Sequence, residues 1–191
     1  MRQVTCSHGP TNDYVLTSPI GTILVKSCPS GLHSVGQTED VTDDTFKPNE
    51  SLQVRMLEQK YEDNGYTYKP VLSCVRWLNC YFHEPEMLKE LEKPALCKSV
   101  RVSKDNFIGV VWSTLSDQVS FGETISYGAL ATLCSRHGAA RAVGTALRRN
   151  PIQILIPCHR VVRWDGGTGH YSGGRRDTVK AWLLEHEKKG V

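Results

Sequence analysis

Late in the chain, the stretch Ile156-Pro157-Cys158-His159-Arg160-Val161-Val162 sets a thiol between a proline and a histidine, behind a run of apolar residues. A cysteine in such a place can pack as a small hydrophobe, bind a metal, or react. To react it must be held as the thiolate, which takes a base, a cation or a helix N-terminus. His159 is the neighbouring base. In an extended segment successive side chains point to opposite faces, so a bridging water links the two more naturally than a direct bond. A carboxylate should then orient the imidazole. Glu187, near the end of the chain, is the candidate, and its spacing is compatible with an inward or a solvated position. Zinc-dependent deaminases also carry a Pro-Cys pair but need a second cysteine three residues on, and position 161 is Val. A Cys-His hydrolase and a redox sensor survive that test.

The elements around this stretch must position it. Residues 178–189, "TVKAWLLEHEKK", carry an apolar stripe of Val179, Trp182 and Leu183 and predict a terminal helix. Residues 103–118 show Phe107, Val110, Val111 and Leu115 at helical spacing, with Ser103 or Asp105 as the N-cap. A turn and short helix are expected over 120–134, a tight turn at 135–138, and a second helix over 139–150 that Asn150-Pro151 stops. Two short helices about a Gly-containing turn fit a helix-turn-helix. The second is rich in small residues (Ala139, Ala140, Ala142, Gly144, Thr145, Ala146) with Arg141, Arg148 and Arg149 at its flanks. Such a helix suits close approach to a polyanion or tight packing within a core.

The first half reads differently. Residues 13–36 alternate β-rich residues with Pro and Gly turns, as in an antiparallel meander. Residues 37–50 form a long acidic loop, and 70–82 place Val71, Cys74, Val75, Leu78 and Phe82 on one helical face. The charged, Pro-bearing stretch 83–96 predicts a boundary near 93, giving an N-terminal domain over 1–93 and a C-terminal one over 94–191. Residues 1–93 hold 9 Lys/Arg and 13 Asp/Glu, whereas residues 94–191 hold 14 and 7. The overall charge of +3 thus hides a basic second half that suits a polyanionic partner. Seven cysteines, no secretory-type leader and no membrane-length apolar run lead to the expectation of a reduced intracellular protein away from membranes.

Taken in order, Gly122-Glu123-Thr124-Ile125-Ser126-Tyr127, Ala139-Ala140-Arg141-Ala142-Val143-Gly144, Asn150-Pro151, Pro157-Cys158-His159-Arg160-Val161-Val162 and Gly169-His170-Tyr171-Ser172-Gly173-Gly174 closely resemble the O6-alkylguanine-DNA alkyltransferases (methylated-DNA–protein-cysteine methyltransferases). The likeness covers roughly 100–190, is weaker in the first half, and points to the animal form. It implies an α/β (α+β) fold: a small N-terminal antiparallel sheet with a helix (a ribonuclease H-like roll), then a mainly helical, winged-helix-like domain.

The resemblance also implies repair of O6-alkylguanine, and less readily O4-alkylthymine, in duplex DNA. The alkyl group moves irreversibly to Cys158 after the base is flipped out through the minor groove. His159 matches the residue that takes the thiol proton through water, Glu187 the carboxylate behind it, and Tyr127 the hydroxyl that assists at N3. Asn150 matches the support of the cysteine turn. Arg141 matches the finger that fills the stack. Ala140, Gly144, Thr145 and Arg148 match the rest of the DNA contact. Ser172, Tyr171, Val161 and Gly169 match the base-contacting wall, and Lys180 a lysine facing the site.

A structural zinc in the N-terminal domain is implied on Cys6, Cys28, His33 and His83, with no organic cofactor. Cys74, Cys80, Cys97 and Cys134 are read as packing residues. Two departures stand out: Gln153 where vertebrate members often have proline, and a loop around Arg175-Arg176 that is longer by two residues. The implied partner is double-stranded DNA met by a monomer, with no membrane, in the nucleus. A non-catalytic alkyltransferase-like protein would lack the acceptor thiol, and a helix-turn-helix regulator would have no need of a Cys-His-Glu set.

Overall fold

The computed structural model describes residues 5–61, 67–100 and 106–190. The chain divides into two compact units, Met1–Val41 with Thr45–Arg101, and Thr42–Asp44 with Val102–Val191. The first division falls after Arg101 rather than near 93. The reason is local: Leu32 N donates to the Ala95 carbonyl at 2.8 Å and Cys97 N to the Leu32 carbonyl at 3.0 Å, so residues 95–97 extend the first unit. A Cβ on Gly31 would lie 2.3 Å from Cys97 N, so only glycine lets the two backbones approach this closely.

The first unit opens with a short pair, β1 (Thr5–Cys6) and β2 (Gly9–Pro10). A four-stranded antiparallel sheet follows, made of β3 (Asn12–Leu16), β4 (Ile23–Cys28), β5 (Gly31–Gln37) and β6 (Met56–Gln59), in the order β5-β4-β3-β6. Alternation in β3 buries Asn12, Tyr14 and Leu16 on one face. Strand β6 has mostly exposed residues and no alternating apolar signal, which is why the sequence did not announce it.

Helix α1 (Lys69–His83) lies on the sheet. Its buried stripe is wider than the spacing suggested: Val71, Cys74, Leu78 and Phe82 are joined by Trp77 and Tyr81, whose rings stack 5.6 Å apart. A 3₁₀ turn over Pro85–Lys89 ends it.

The second unit is helical. Helix α2 (Phe107–Gln118) is capped by Asn106, whose side chain accepts from Ile108 N at 2.9 Å. The expected caps, Ser103 and Asp105, lie outside the described residues. Its buried stripe is Val111, Trp112 and Leu115, with Phe107 and Val110 only half-buried. Strand β7 (Ile125–Ser126) leads directly into α3 (Tyr127–Leu133), where Ser126 Oγ accepts from Ala129 N. Helix α4 (Ala140–Arg148) buries Val143, Ala146 and Leu147, and Trp112 Nε1 donates to the Ala146 carbonyl at 2.9 Å. Strand β8 (Val161–Val162) pairs in parallel with β7 (Ile125 with Val161), and α5 (Asp177–Lys189) closes the unit. Among the described residues no helix is long and apolar enough to cross a membrane.

Candidate active site

Cys158 opens a single 3₁₀ turn, Cys158–Arg160, just before β8. Its thiol is 9% exposed and faces a cavity of about 820 Å³. The lead-in is a tight turn in which Ile154 has φ +71°, a costly conformation for a β-branched residue. Asn150, at the end of α4, holds that turn. Its Oδ1 accepts from Ile152 N at 2.9 Å, while Nδ2 donates to the Ile156 carbonyl at 2.8 Å and to Cys158 Sγ at 3.3 Å. Tyr171 Oη lies 3.9 Å from the same sulfur. Burial pushes the Cys158 thiol up, and the Asn150 and Tyr171 hydrogen bonds and the Lys180 charge oppose it.

The next two side chains turn the other way, into the core. His159 is fully buried, and its Nε2 lies 2.6 Å from Glu187 Oε1. Arg160 grips the same carboxylate, Nε to Oε2 at 2.8 Å and Nη2 to Oε1 at 3.1 Å, while its Nη1 donates to the Val119 carbonyl at 2.7 Å. The backbone N–H of Gly122 donates to Glu187 Oε2 at 3.1 Å.

Glu187 itself is 1% exposed, and α5 aims it inward rather than to solvent. Burial raises its pKa, but His159 and Arg160 outweigh burial and hold it far below the usual carboxylate range. Burial lowers the pKa of His159 against the pull of Glu187, so the imidazole is neutral at neutral pH. An ionised carboxylate can only accept, which puts the ring proton on Nε2 and leaves Nδ1 as the basic nitrogen. Lys180, also on α5 and fully buried, donates to the Val161 carbonyl at 2.7 Å; burial lowers its pKa to about 8.

The cavity gathers most of the residues singled out from the sequence. Tyr127, Asn150, Cys158, Tyr171, Ser172 and Gly169 line it, together with Arg141, Gly144, Thr145 and Arg148 from α4. The Tyr127 ring packs beside Gly144 and reaches Gly169. Arg141 and Arg148 are exposed. His159, Glu187, Val161 and Lys180 stand behind the cavity wall rather than in it, and Ala140 is not among the lining residues. Arg163 and His170 line it too, and the family pattern gave no reason to single them out. The departure noted at Gln153 is part of the wall.

The metal set requires a correction. Donor atoms of Cys6, Cys28, His33 and Cys97 lie within 4.8 Å of one another, and His83 is not in the group. His83 closes α1, whereas the pairing of residues 95–97 with Leu32 carries Cys97 to 3.7 Å from Cys28, sulfur to sulfur. Cys97 is thus a member of the cluster and not a packing residue. The donors suit a tetrahedral metal: His33 Nε2 is buried with no hydrogen-bond partner. Cys6 Sγ accepts from His8 N at 3.2 Å and Cys97 Sγ from Ser99 Oγ at 3.2 Å, the outer bonds that steady metal thiolates.

A buried cysteine, followed by a histidine paired to a buried carboxylate, thus faces a cavity edged by a basic, small-residue helix, an arrangement that suits a thiol protein directed at a polyanion. Residues 106–189 match the model of the 6-O-methylguanine DNA methyltransferase DNA-binding domain. The rat methylated-DNA–protein-cysteine methyltransferase is 45% identical over 177 residues, 91% of this chain and 80% of its own. The human protein of that name is 41% identical over 175 residues, 90% of this chain and 78% of its own. The crystal structure of the Mycobacterium tuberculosis OGT in complex with DNA superimposes with a TM-score of 0.65 at 31% identity, covering 93% of this chain and 92% of that one. The chain belongs to the methylated-DNA–protein-cysteine methyltransferase family.

Replacing Glu187 by Gln removes the charge opposite buried Arg160, and we expect a loss of about 3–5 kcal/mol in chemical denaturation. The sign of the pH effect follows from its depressed folded-state pKa. The stabilisation is complete above the unfolded value of about 4.5 and drains away as pH falls below it. The acid limb of stability should therefore flatten in Glu187→Gln; an unchanged limb would exclude Glu187 as its source.

Proposed function

We propose that this protein repairs duplex DNA by moving the alkyl group of O6-alkylguanine, and less readily O4-alkylthymine, onto Cys158. The observation that carries the reading is the juxtaposition of Cys158, on a cavity edged by Arg141 and Arg148, with a neutral His159 next in sequence that is paired to an ionised, buried Glu187. The thiol proton passes through water to His159 Nδ1. The sulfur then attacks the alkyl carbon as the carbon–O6 bond breaks, and its electron pair leaves on guanine. A proton from the Tyr127 hydroxyl at N3 meets the charge that develops on the base. The new thioether cannot be undone by these groups, so each molecule acts once.

A thiol that is 9% exposed cannot meet a base stacked in a duplex, so the nucleotide must leave the stack. Arg141, exposed at the start of α4 and lining the cavity, is suited to fill the gap, with Ala140, Gly144, Thr145 and Arg148 along the minor groove. Tyr171, Ser172, Gly169 and the backbone at Val161 offer the wall for the flipped base. The protein would act as a monomer, in the nucleus, where its substrate is. A lesion-binding role without transfer has no use for the thiol that Cys158 presents to the cavity. The decisive experiment uses duplex DNA carrying labelled O6-methylguanine, followed by peptide mapping. We expect one methyl group on the peptide that contains Cys158; intact binding with no label there would leave only the lesion-binding role.

We further propose a structural zinc on Cys6, Cys28, His33 and Cys97, which would tie β1, β4 and β5 to the segment after α1. Burial pushes the Cys28 thiol up to about 11, so a bound cation is what would make it a thiolate at neutral pH. Cys97→Ala should lose the metal while His83→Ala keeps it, as read by elemental analysis of the purified protein. The opposite pattern would return the fourth ligand to His83.

A further inference from the structure

Three residues from the acidic loop, Thr42–Asp44, belong to the second unit. Within it, Asp43 makes three hydrogen bonds to the start of α5. Its Oδ1 accepts from Thr178 N at 2.8 Å and from Thr178 Oγ1 at 2.6 Å, and its backbone N donates to the Arg175 carbonyl at 2.9 Å. Helix α5 has no side-chain cap of its own at Arg176. Asp43 therefore does, from 135 residues away in sequence, what a local Asp or Ser usually does at an N-cap, and brings a negative charge to the positive end of the helix. The Thr178 hydroxyl and N–H lower the pKa of its carboxyl, so the acceptor is ionised at neutral pH.

What Asp43 holds is the wall of the cavity. Ser172, Gly173 and Gly174 have φ of +50°, +74° and +85°, three left-handed residues in succession. The two glycines adopt this freely, but Ser172 does not, and its conformation persists only where its surroundings fix it. On one side Asp177 fixes it, accepting from Tyr171 N at 2.6 Å and pairing with His170 Nδ1 at 2.9 Å. On the other, Asp43 fixes Arg175, and the loop between carries Tyr171, whose hydroxyl reaches Cys158. The two added residues are part of this loop: Arg175 is exposed, and Arg176 is buried with its charge acting on Tyr171. The longer loop thus comes with its own anchor.

We infer that the Asp43 side chain is a positioning group for alkyl transfer: its carboxylate bonds to Thr178 seat the Asp43 backbone N–H on the Arg175 carbonyl and so hold the Tyr171–Arg176 wall against Cys158. The inference rests on the alkyl-transfer reading of the site.

The test uses the full chain and the free base O6-benzylguanine, which reaches the cavity without DNA. Three quantities are read for each variant: the second-order rate of benzyl transfer, the affinity for undamaged duplex DNA, and the melting temperature. Asp43→Ala should slow transfer about tenfold or more while duplex affinity stays within about twofold, because α4 is untouched. Asp43→Asn keeps the acceptor oxygen and should restore the rate to within about threefold of wild type. A merely stabilising cap would lower the melting temperature and leave the rate alone. Asp43→Ala reacting within about twofold of wild type, or Asp43→Asn no faster than Asp43→Ala, overturns the inference. Should Asp43→Ala fail to fold, Thr178→Val replaces it: a slower rate supports the inference and a wild-type rate overturns it. A wild-type protein that takes up neither a benzyl group from O6-benzylguanine nor a methyl group from O6-methylguanine in duplex DNA overturns the alkyl-transfer reading and this inference with it.

Discussion

The carboxylate of Glu187 is the point on which the second unit turns. It is almost wholly buried, and it accepts hydrogen bonds from His159, from two nitrogens of Arg160 and from the backbone of Gly122. A buried carboxylate without partners would give up its charge; this one is held ionised by a guanidinium in fork geometry. The arrangement joins three remote parts of the chain: the turn before β7, the 3₁₀ turn at Cys158, and the end of α5. Arg160 also ties Val119 at the end of α2 and lies over the Phe121 ring at 5.9 Å. The chemistry follows from that frame, because one buried anion fixes both the orientation of His159 and the nitrogen that bears its proton.

The sulfur side of the site is built from backbone that local preference would reject. Ile154 and Ser172 are non-glycine residues with positive φ, on opposite sides of Cys158. Each such residue costs on the order of 1–3 kcal/mol. Each is held by an amide or carboxylate from elsewhere: Asn150 across the turn at Ile152 and Ile156, Asp177 and Asp43 around the loop at Ser172. The stiffness keeps a cavity in front of a thiol that packing would otherwise close over.

Local signals were legible where one physical rule dominated. Alternation found β3 to β5, 3.6-residue spacing found α1, α2 and α5, and the Pro-Cys-His stretch drew attention to the thiol before any fold was known. What stayed hidden depended on contacts between distant segments. Glu187 could have pointed either way on α5 until Arg160 was seen beneath it. Strand β6 carries no periodic signal. Cys97 looked like a packing residue because its place in the metal cluster comes from the pairing of residues 95–97 with Leu32, which no spacing rule contains. His83 was named only because the family resemblance implied a second histidine ligand, and the fold does not bring it to the cluster. The acidic stretch 37–50 looked like a solvated loop, yet Asp43 caps a helix 135 residues downstream.

In the proposed mechanism His159 is a neutral base whose Nε2–H donates a hydrogen bond to Glu187 and whose Nδ1 takes the thiol proton. Nitrogen-15 NMR of the imidazole rings, with His159→Gln used to assign the signal, reads this directly. A neutral ring protonated at Nε2 at neutral pH is the expected result. An imidazolium at neutral pH, or a neutral ring protonated at Nδ1, would contradict it.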